Sequence, residues 1–184
     1  MGKVRIIGGQ YRGRILEFPD KINLRPTHDR IRETLFNWLM HDISGATCLD
    51  LFAGSGALGF EAISRGASKV ILVDNDVDTL AALKKNSEKF DKNSIEIIYA
   101  DFQRKPPKFQ EKFDIVFLDP PYQSDLIMTS LNWLQENNLL KSNAQIYVET
   151  KKSEKILIFP ANFEILKSSA TSTIQYYLLA AAPA

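Results

Sequence analysis

Apolar positions recur along this chain with two different periods, and the switches between them set the order of its elements. Residues 4–18 read as a hairpin, with VRII and ILEF flanking the turn-rich GGQYRGR. Pro26-Thr27 then opens a helix with Thr27 as its N-cap, and Ile31, Leu35, Trp38 and Leu39 fall on one face of it. From ATCLDLF onward, short apolar runs at 46–52, 70–74, 95–99, 113–118 and 144–149 alternate with helical stretches at about 57–65, 77–89 and 125–137. Gly66 is placed to end the first of these helices. The alternation predicts a mostly parallel sheet with helices on both faces, an α/β fold. Between about 157 and 180, KILIF, FEIL and TIQYYLL read as two or three more strands with no helix between the last two. That predicts a closing antiparallel hairpin. Ligands of such sheets bind beyond the carboxyl ends of the strands.

Composition narrows the class. The 184 residues fit one domain, here divided into a basic N-terminal hairpin and helix extension (1–42) and a ligand-binding catalytic core (43–184). No apolar run approaches the roughly 20 residues that span a bilayer, and MGKVRIIGGQ has too short an apolar stretch for a signal peptide. Ile6 stands where myristoylation after Met1-Gly2 wants Ser or Thr. The single cysteine, Cys48, has no disulfide partner, so a cytoplasmic location is expected. Two histidines and one cysteine are too few for a zinc site, and no metal is expected. Nothing in the sequence demands a dimer, so a monomer is expected.

Charge is unevenly placed. Residues 1–32 carry Lys3, Arg5, Arg12, Arg14, Lys21, Arg25, Arg30 and Arg32 against Glu17, Asp20 and Asp29, a local excess of +5 in a chain whose net charge is +1. A basic arm of this kind suits a polyanion; an ordinary solvated hairpin is the plainer alternative.

Candidate chemistry collects at the strand ends. LDLFAGSGALGFEA holds Gly54-Ser55-Gly56-Ala57-Leu58-Gly59, formally a G-x-G-x-x-G between a strand and a helix. Glycines let a ligand approach the backbone, and a helix N-terminus offers N–H groups to an anion. A nicotinamide dinucleotide is therefore one reading. Asp50 argues against it, since a carboxylate four residues before Gly54 would repel a pyrophosphate. The same acid suits the ammonium of S-adenosylmethionine (SAM), whose carboxylate suits the helix. Phe52 belongs to the same loop. Asp74, closing KVILVD, is placed to accept ribose hydroxyls in either case. Asp76 and Asp78 read better as acids favoured at a helix N-terminus. After the third run, Asp101 is positioned for an adenine amine and Phe102 for packing on the ring.

The fourth run, FDIVFL, ends on Asp119-Pro120-Pro121-Tyr122. One proline would stop a strand; two make a stiff turn. An exocyclic amine on a nucleobase is a poor nucleophile because its lone pair is delocalised into the ring. A catalyst must hold its two protons and let the nitrogen pyramidalise. Asp119 offers a carboxylate, Pro120 a carbonyl fixed by the ring constraints, and Tyr122 a face for stacking. In-line methyl transfer would then rest on positioning and electrostatics, with a paired base first flipped out.

These residues resemble class I SAM-dependent amino-methyltransferases. RIIGGQYRGRIL (5–16), RPTHDRIRETLFNWL (25–39) and LDLFAGSGALGFEAISRGA (49–67) narrow the resemblance to the RsmD family, and it covers essentially the whole chain. It implies a Rossmann-like, mostly parallel seven-stranded sheet, SAM as cofactor, and methylation of guanine N2 in small-subunit (16S) ribosomal RNA, in a partly or fully assembled subunit. Tyr122 stands where the family often has Phe, and His28 where a small polar residue is expected. The resemblance gives Arg5, Arg12, Arg14, Arg25, Arg30 and Arg32 the role of phosphate contacts, which position RNA without reading sequence. Arg32 or Thr27 could instead lie against the SAM methionine. A DNA adenine-N6 methyltransferase shares the four-residue turn but usually needs a separate recognition region. An NAD-dependent oxidoreductase leaves that turn unexplained. A non-catalytic RNA-binding module with a relic SAM pocket is disfavoured because the active-site residues look intact.

Overall fold

The structure is a computed structural model, which describes residues 1–20, 29–121, 124–152 and 158–182. Two strands, β1 (Gly2–Arg5) and β2 (Ile15–Phe18), form an antiparallel hairpin, followed by α1 (Asp29–Trp38). The core then runs β3 (Thr47–Asp50), α2 (Ala57–Ser64), β4 (Lys69–Asp74), α3 (Val77–Ser87), β5 (Ile95–Tyr99), β6 (Phe113–Leu118), α4 (Ser124–Glu136), β7 (Leu140–Lys151), β8 (Phe163–Ala170) and β9 (Ile174–Ala181). The sheet has seven strands in the order β5-β4-β3-β6-β7-β9-β8. Its first five strands are parallel, and β9 is antiparallel to both β7 and β8. The expected closing hairpin is therefore present. KILIF is not one of its strands, at least over the described residues Ile158 and Phe159.

Each central strand is buried on both faces, and the alternation of its side chains divides the core in two. Cys48, Val70, Leu72, Ile115, Phe117, Tyr147 and Leu178 pack with α1, α2, α3 and the hairpin. Leu49, Ile71, Val73, Val116, Leu118, Ile146, Val148 and Leu179 pack with α4. Gly66 ends α2 as expected, with φ of 103°.

The hairpin is fastened to α2 by buried polar groups. Glu61, fully buried, accepts from the N–H of Ile7 and of Gly8, each at 2.9 Å, and from Arg65 Nε at 2.8 Å. Gln10 N–H donates to the Ser64 carbonyl at 2.7 Å and Tyr11 N–H to Ser64 Oγ at 2.9 Å. Gly9 has φ of 76°, and a Cβ there would run into the Ser64 carbonyl. Because α2 runs antiparallel to the strands, its C-terminal end lies at the amino edge of the sheet. The hairpin turn is seated at that edge.

Candidate functional site

The strand ends form a stepped floor. Asp50 is level with Leu72 of β4 on one side and with Phe117 of β6 on the other. Asp74 and Asp119 each lie two residues further along, on the same face as Asp50, so they stand roughly 6.6 Å higher on its two sides. Asp101 lies two residues beyond Tyr99, the partner of Asp74. Four acids thus line the carboxyl edge of four neighbouring strands, in the spatial order Asp101, Asp74, Asp50, Asp119.

Between Asp50 and α2 the chain makes a tight turn. Gly54 and Gly56 have φ of 50° and 76°. A Cβ on Gly56 would also meet the Phe60 ring and Leu83, so both conformation and packing require glycine here. Asp74 braces the turn: its Oδ2 accepts from Gly54 N–H and its Oδ1 from Asp76 N–H, each at 2.9 Å. Asp76 caps α3, accepting from Thr79 N–H at 2.8 Å. That is the helix-terminal role expected for it.

Asp50 is 1% exposed; its Oδ2 accepts from Gly59 N–H at 3.1 Å, while Oδ1 is buried with no hydrogen-bond partner. Burial pushes its carboxyl up to about 7, the Gly59 N–H bond pulls the other way, and the nearby Asp74 charge adds to the rise. A buried acceptor left without a donor is costly. One beneath a glycine turn fits a cationic group of a ligand held by that turn. Burial likewise raises the Asp74 carboxyl. These residues fit SAM: acids toward an ammonium and a ribose, and a helix N-terminus toward a carboxylate.

At the acceptor side, Asp119 is half-buried, Pro120 buried and Pro121 exposed. Tyr122 lies outside the described residues. Phe52 is half-buried and meets Phe102 edge-on, with ring centroids 5.7 Å apart. Phe102 is a correction: it is buried, 5.2 Å from Trp133, in the core beneath α4. A ring that fills a core gap does not offer its face to adenine. Asp101 is half-buried; its Oδ1 accepts from Gln103 N–H at 3.2 Å and its Oδ2 lies 3.5 Å from Arg104.

The basic arm divides. Arg5, Arg12, Arg14 and Arg30 are exposed, whereas Arg25 and Thr27 lie outside the described residues. Arg14 lies over the Tyr11 ring, 4.4 Å from its centroid. Arg12 and Arg14 belong to the hairpin turn at the amino edge, across the sheet from Asp119. Arg32 is the second correction. It is wholly buried, donates to the Arg5 carbonyl at 2.9 Å and to Asp29, and lies 3.6 Å from Glu61. It holds α1 to the hairpin and is not open to a surface phosphate.

Sequence reasoning passed over Glu149. It is buried in β7 and accepts the Tyr147 hydroxyl at 2.7 Å. The signal was present: an acid near the end of the fifth apolar run, as in the four runs before it.

The chain matches the model of the family described as "Conserved hypothetical protein 95" over residues 4–180. It is 48% identical over 182 residues to "Ribosomal RNA small subunit methyltransferase D" of Haemophilus influenzae, covering 96% of this chain and 93% of the relative. The protein of the same name in Escherichia coli strain K12 is 40% identical, with 96% and 89% covered. The solved structure of yhhF from Escherichia coli superposes with a TM-score of 0.90 at 38% identity, covering 98% and 99% of the two chains. With that extent of match, and the stepped acids and glycine turn in place, the chain belongs to the conserved hypothetical protein 95 family, the RsmD family that its sequence resembles.

Proposed function

We propose that this protein is a SAM-dependent methyltransferase of small-subunit ribosomal RNA, acting on the exocyclic N2 of a guanine. The observation that carries the reading is the step from Asp50 to Asp119 on adjacent strands β3 and β6, which sets a cation-favouring floor beside an acceptor turn. The relatives named as small-subunit rRNA methyltransferases support the substrate class.

SAM, when bound, supplies an electrophilic methyl group on a sulfonium. Asp50 and the Gly54–Gly56 turn would hold its methionine end, Asp74 its ribose and Asp101 its adenine. Asp119 and the Pro120 carbonyl would accept hydrogen bonds from the two N2–H groups, drawing the nitrogen toward tetrahedral geometry and freeing its lone pair; one of these protons would leave through Asp119 to solvent once the methyl is attached. Tyr122 would stack on the base. Arg5, Arg12, Arg14 and Arg30, with Arg25, would contact phosphates. Arg12 and Arg14 would do so at a distance from the transfer centre, which suits a folded RNA wrapping the protein better than a free nucleotide. The protein would work as a monomer in the cytoplasm, as one methyltransferase domain.

The test is nucleoside analysis of small-subunit rRNA from a strain lacking the protein. Loss of one N2-methylguanine, restored by the wild type and not by Asp119→Ala, is the expected result. An unchanged rRNA profile would move the substrate elsewhere, with DNA adenine examined next.

A further inference from the structure

The site has a second acid on its acceptor side. Phe117 of β6 is level with Tyr147 of β7, and Leu118 with Val148. Extending that parallel register by one residue sets Glu149 beside Asp119, on the same face and about 4.8 Å away across the strands. Tyr147, level with Phe117, shares the face, and both pack on the α1 side of the sheet. Tyr147 is wholly buried and Glu149 is 8% exposed. The Tyr147 hydroxyl donates to Glu149 Oε2 at 2.7 Å. Burial and then the charge of Glu149 hold the Tyr147 phenol well above its usual value, and the charge of Asp119 adds to the rise. The three groups therefore share one electrostatic neighbourhood.

Burying a carboxylate is costly, and a leucine would fill this part of the core without that cost. An acid retained at this level, fixed by a dedicated hydroxyl, has a geometric use. The Watson–Crick edge of guanine presents two adjacent donors, N1–H and N2–H. Adenine presents an acceptor at N1. Flipped bases are read on that edge by hydrogen bonds.

We propose that Glu149, oriented by Tyr147, is a specificity-determining residue that accepts N1–H of the target guanine while Asp119 holds N2–H. This rests on the guanine-N2 reading above and adds the residue that distinguishes guanine from bases whose N1 is an acceptor. A site built to bond a donor rejects an analogue that lacks it far more strongly than a merely apolar pocket does. Tyr147 is a positioning residue that acts through Glu149.

The experiment uses small ribosomal subunits assembled on RNA that carries either guanosine or 2-aminopurine riboside at the modified position, introduced by ligation. 2-Aminopurine keeps the 2-amino group but has an acceptor at N1. The wild-type protein is expected to favour guanine by ~100-fold or more in kcat/KM. In Glu149→Gln the Tyr147 hydroxyl would hold the amide oxygen and leave the NH2 facing N1, so this variant is expected to lose kcat/KM on guanine and to narrow or invert that preference. Its thermal shift with SAM should match the wild type. Tyr147→Phe, which keeps the ring and removes only the hydroxyl, should narrow the preference in the same direction and carries the test if Glu149→Gln does not fold. Equal loss on both substrates, or no change on either, would show that the pair is structural and overturn the inference. A wild type that methylates neither RNA would instead overturn the rRNA reading, and this inference with it.

Discussion

Arg32 and Glu61 face each other 3.6 Å apart with both side chains wholly buried. Glu61 also takes two backbone N–H groups from the hairpin and the Arg65 guanidinium. It is the point at which the N-terminal hairpin, α1 and α2 are joined. Glu61→Ala leaves the buried Arg32 guanidinium with Asp29 alone as counter-charge and two part-buried N–H groups without their acceptor. The expected cost is about 3–5 kcal/mol, read as a lower urea midpoint. Glu61→Gln should cost less, because its amide oxygen still accepts.

Asp50 predicts a pH dependence. Its carboxyl titrates near 7 in the folded protein, raised by burial, and near 3.9 in an unfolded chain. Between these values the folded state holds a proton that the unfolded state has released. Stability therefore falls as pH rises from about 4 to about 7, by up to ~1.4 kcal/mol per pH unit, and this contribution is flat above that window. Asp50→Asn should remove that slope. Unfolding curves of both proteins at several pH values check it; parallel profiles would mean that Asp50 is ionised throughout.

Variants at Asp119 and Gly54 would separate binding from chemistry. Asp119→Ala should leave the thermal shift with SAM unchanged and cut turnover by ~100-fold or more. Gly54→Val, at a φ of 50°, should remove the thermal shift itself. Loss of SAM binding in Asp119→Ala with turnover of bound SAM intact would exchange the two roles.

The arginines predict a split in salt dependence. Arg12→Glu should weaken RNA binding and lower the salt slope by about 1. Arg32→Lys should leave that slope alone and lower the thermal midpoint instead. Binding titrations at several salt concentrations distinguish the two outcomes.

The sheet, its helices and the four acids at the strand ends were legible because each rests on a local rule: a hydrophobic period, a glycine turn, a strand that stops on an acid. What failed was any property set by the third dimension. Arg32 reads as one more cation in a basic run, and only the packing of α1 on the hairpin turns it inward. Phe102 follows an acid at a strand end, but the chain bends so that its ring enters the core beside Trp133. Arg12 and Arg14 read as part of a single arm, yet the hairpin turn is fastened to the end of α2 that points away from Asp119. Glu149 shares a level with Asp119 only because β7 pairs with β6 in that register.

The position of β9 carries a consequence for the order in which the chain becomes stable. It follows β8 in the sequence but stands between β7 and β8 in the sheet, and among the described residues β8 pairs with no other strand. During synthesis β8 emerges before the strand that will hold it, and β7 waits with one edge unpaired until β9 slots into the gap. Both edges are then open to pairing with another chain. Nascent chains stopped just before Ile174 should therefore be aggregation-prone although the cofactor-facing strands are already made, and eight further residues convert two exposed edges into the interior of a sheet.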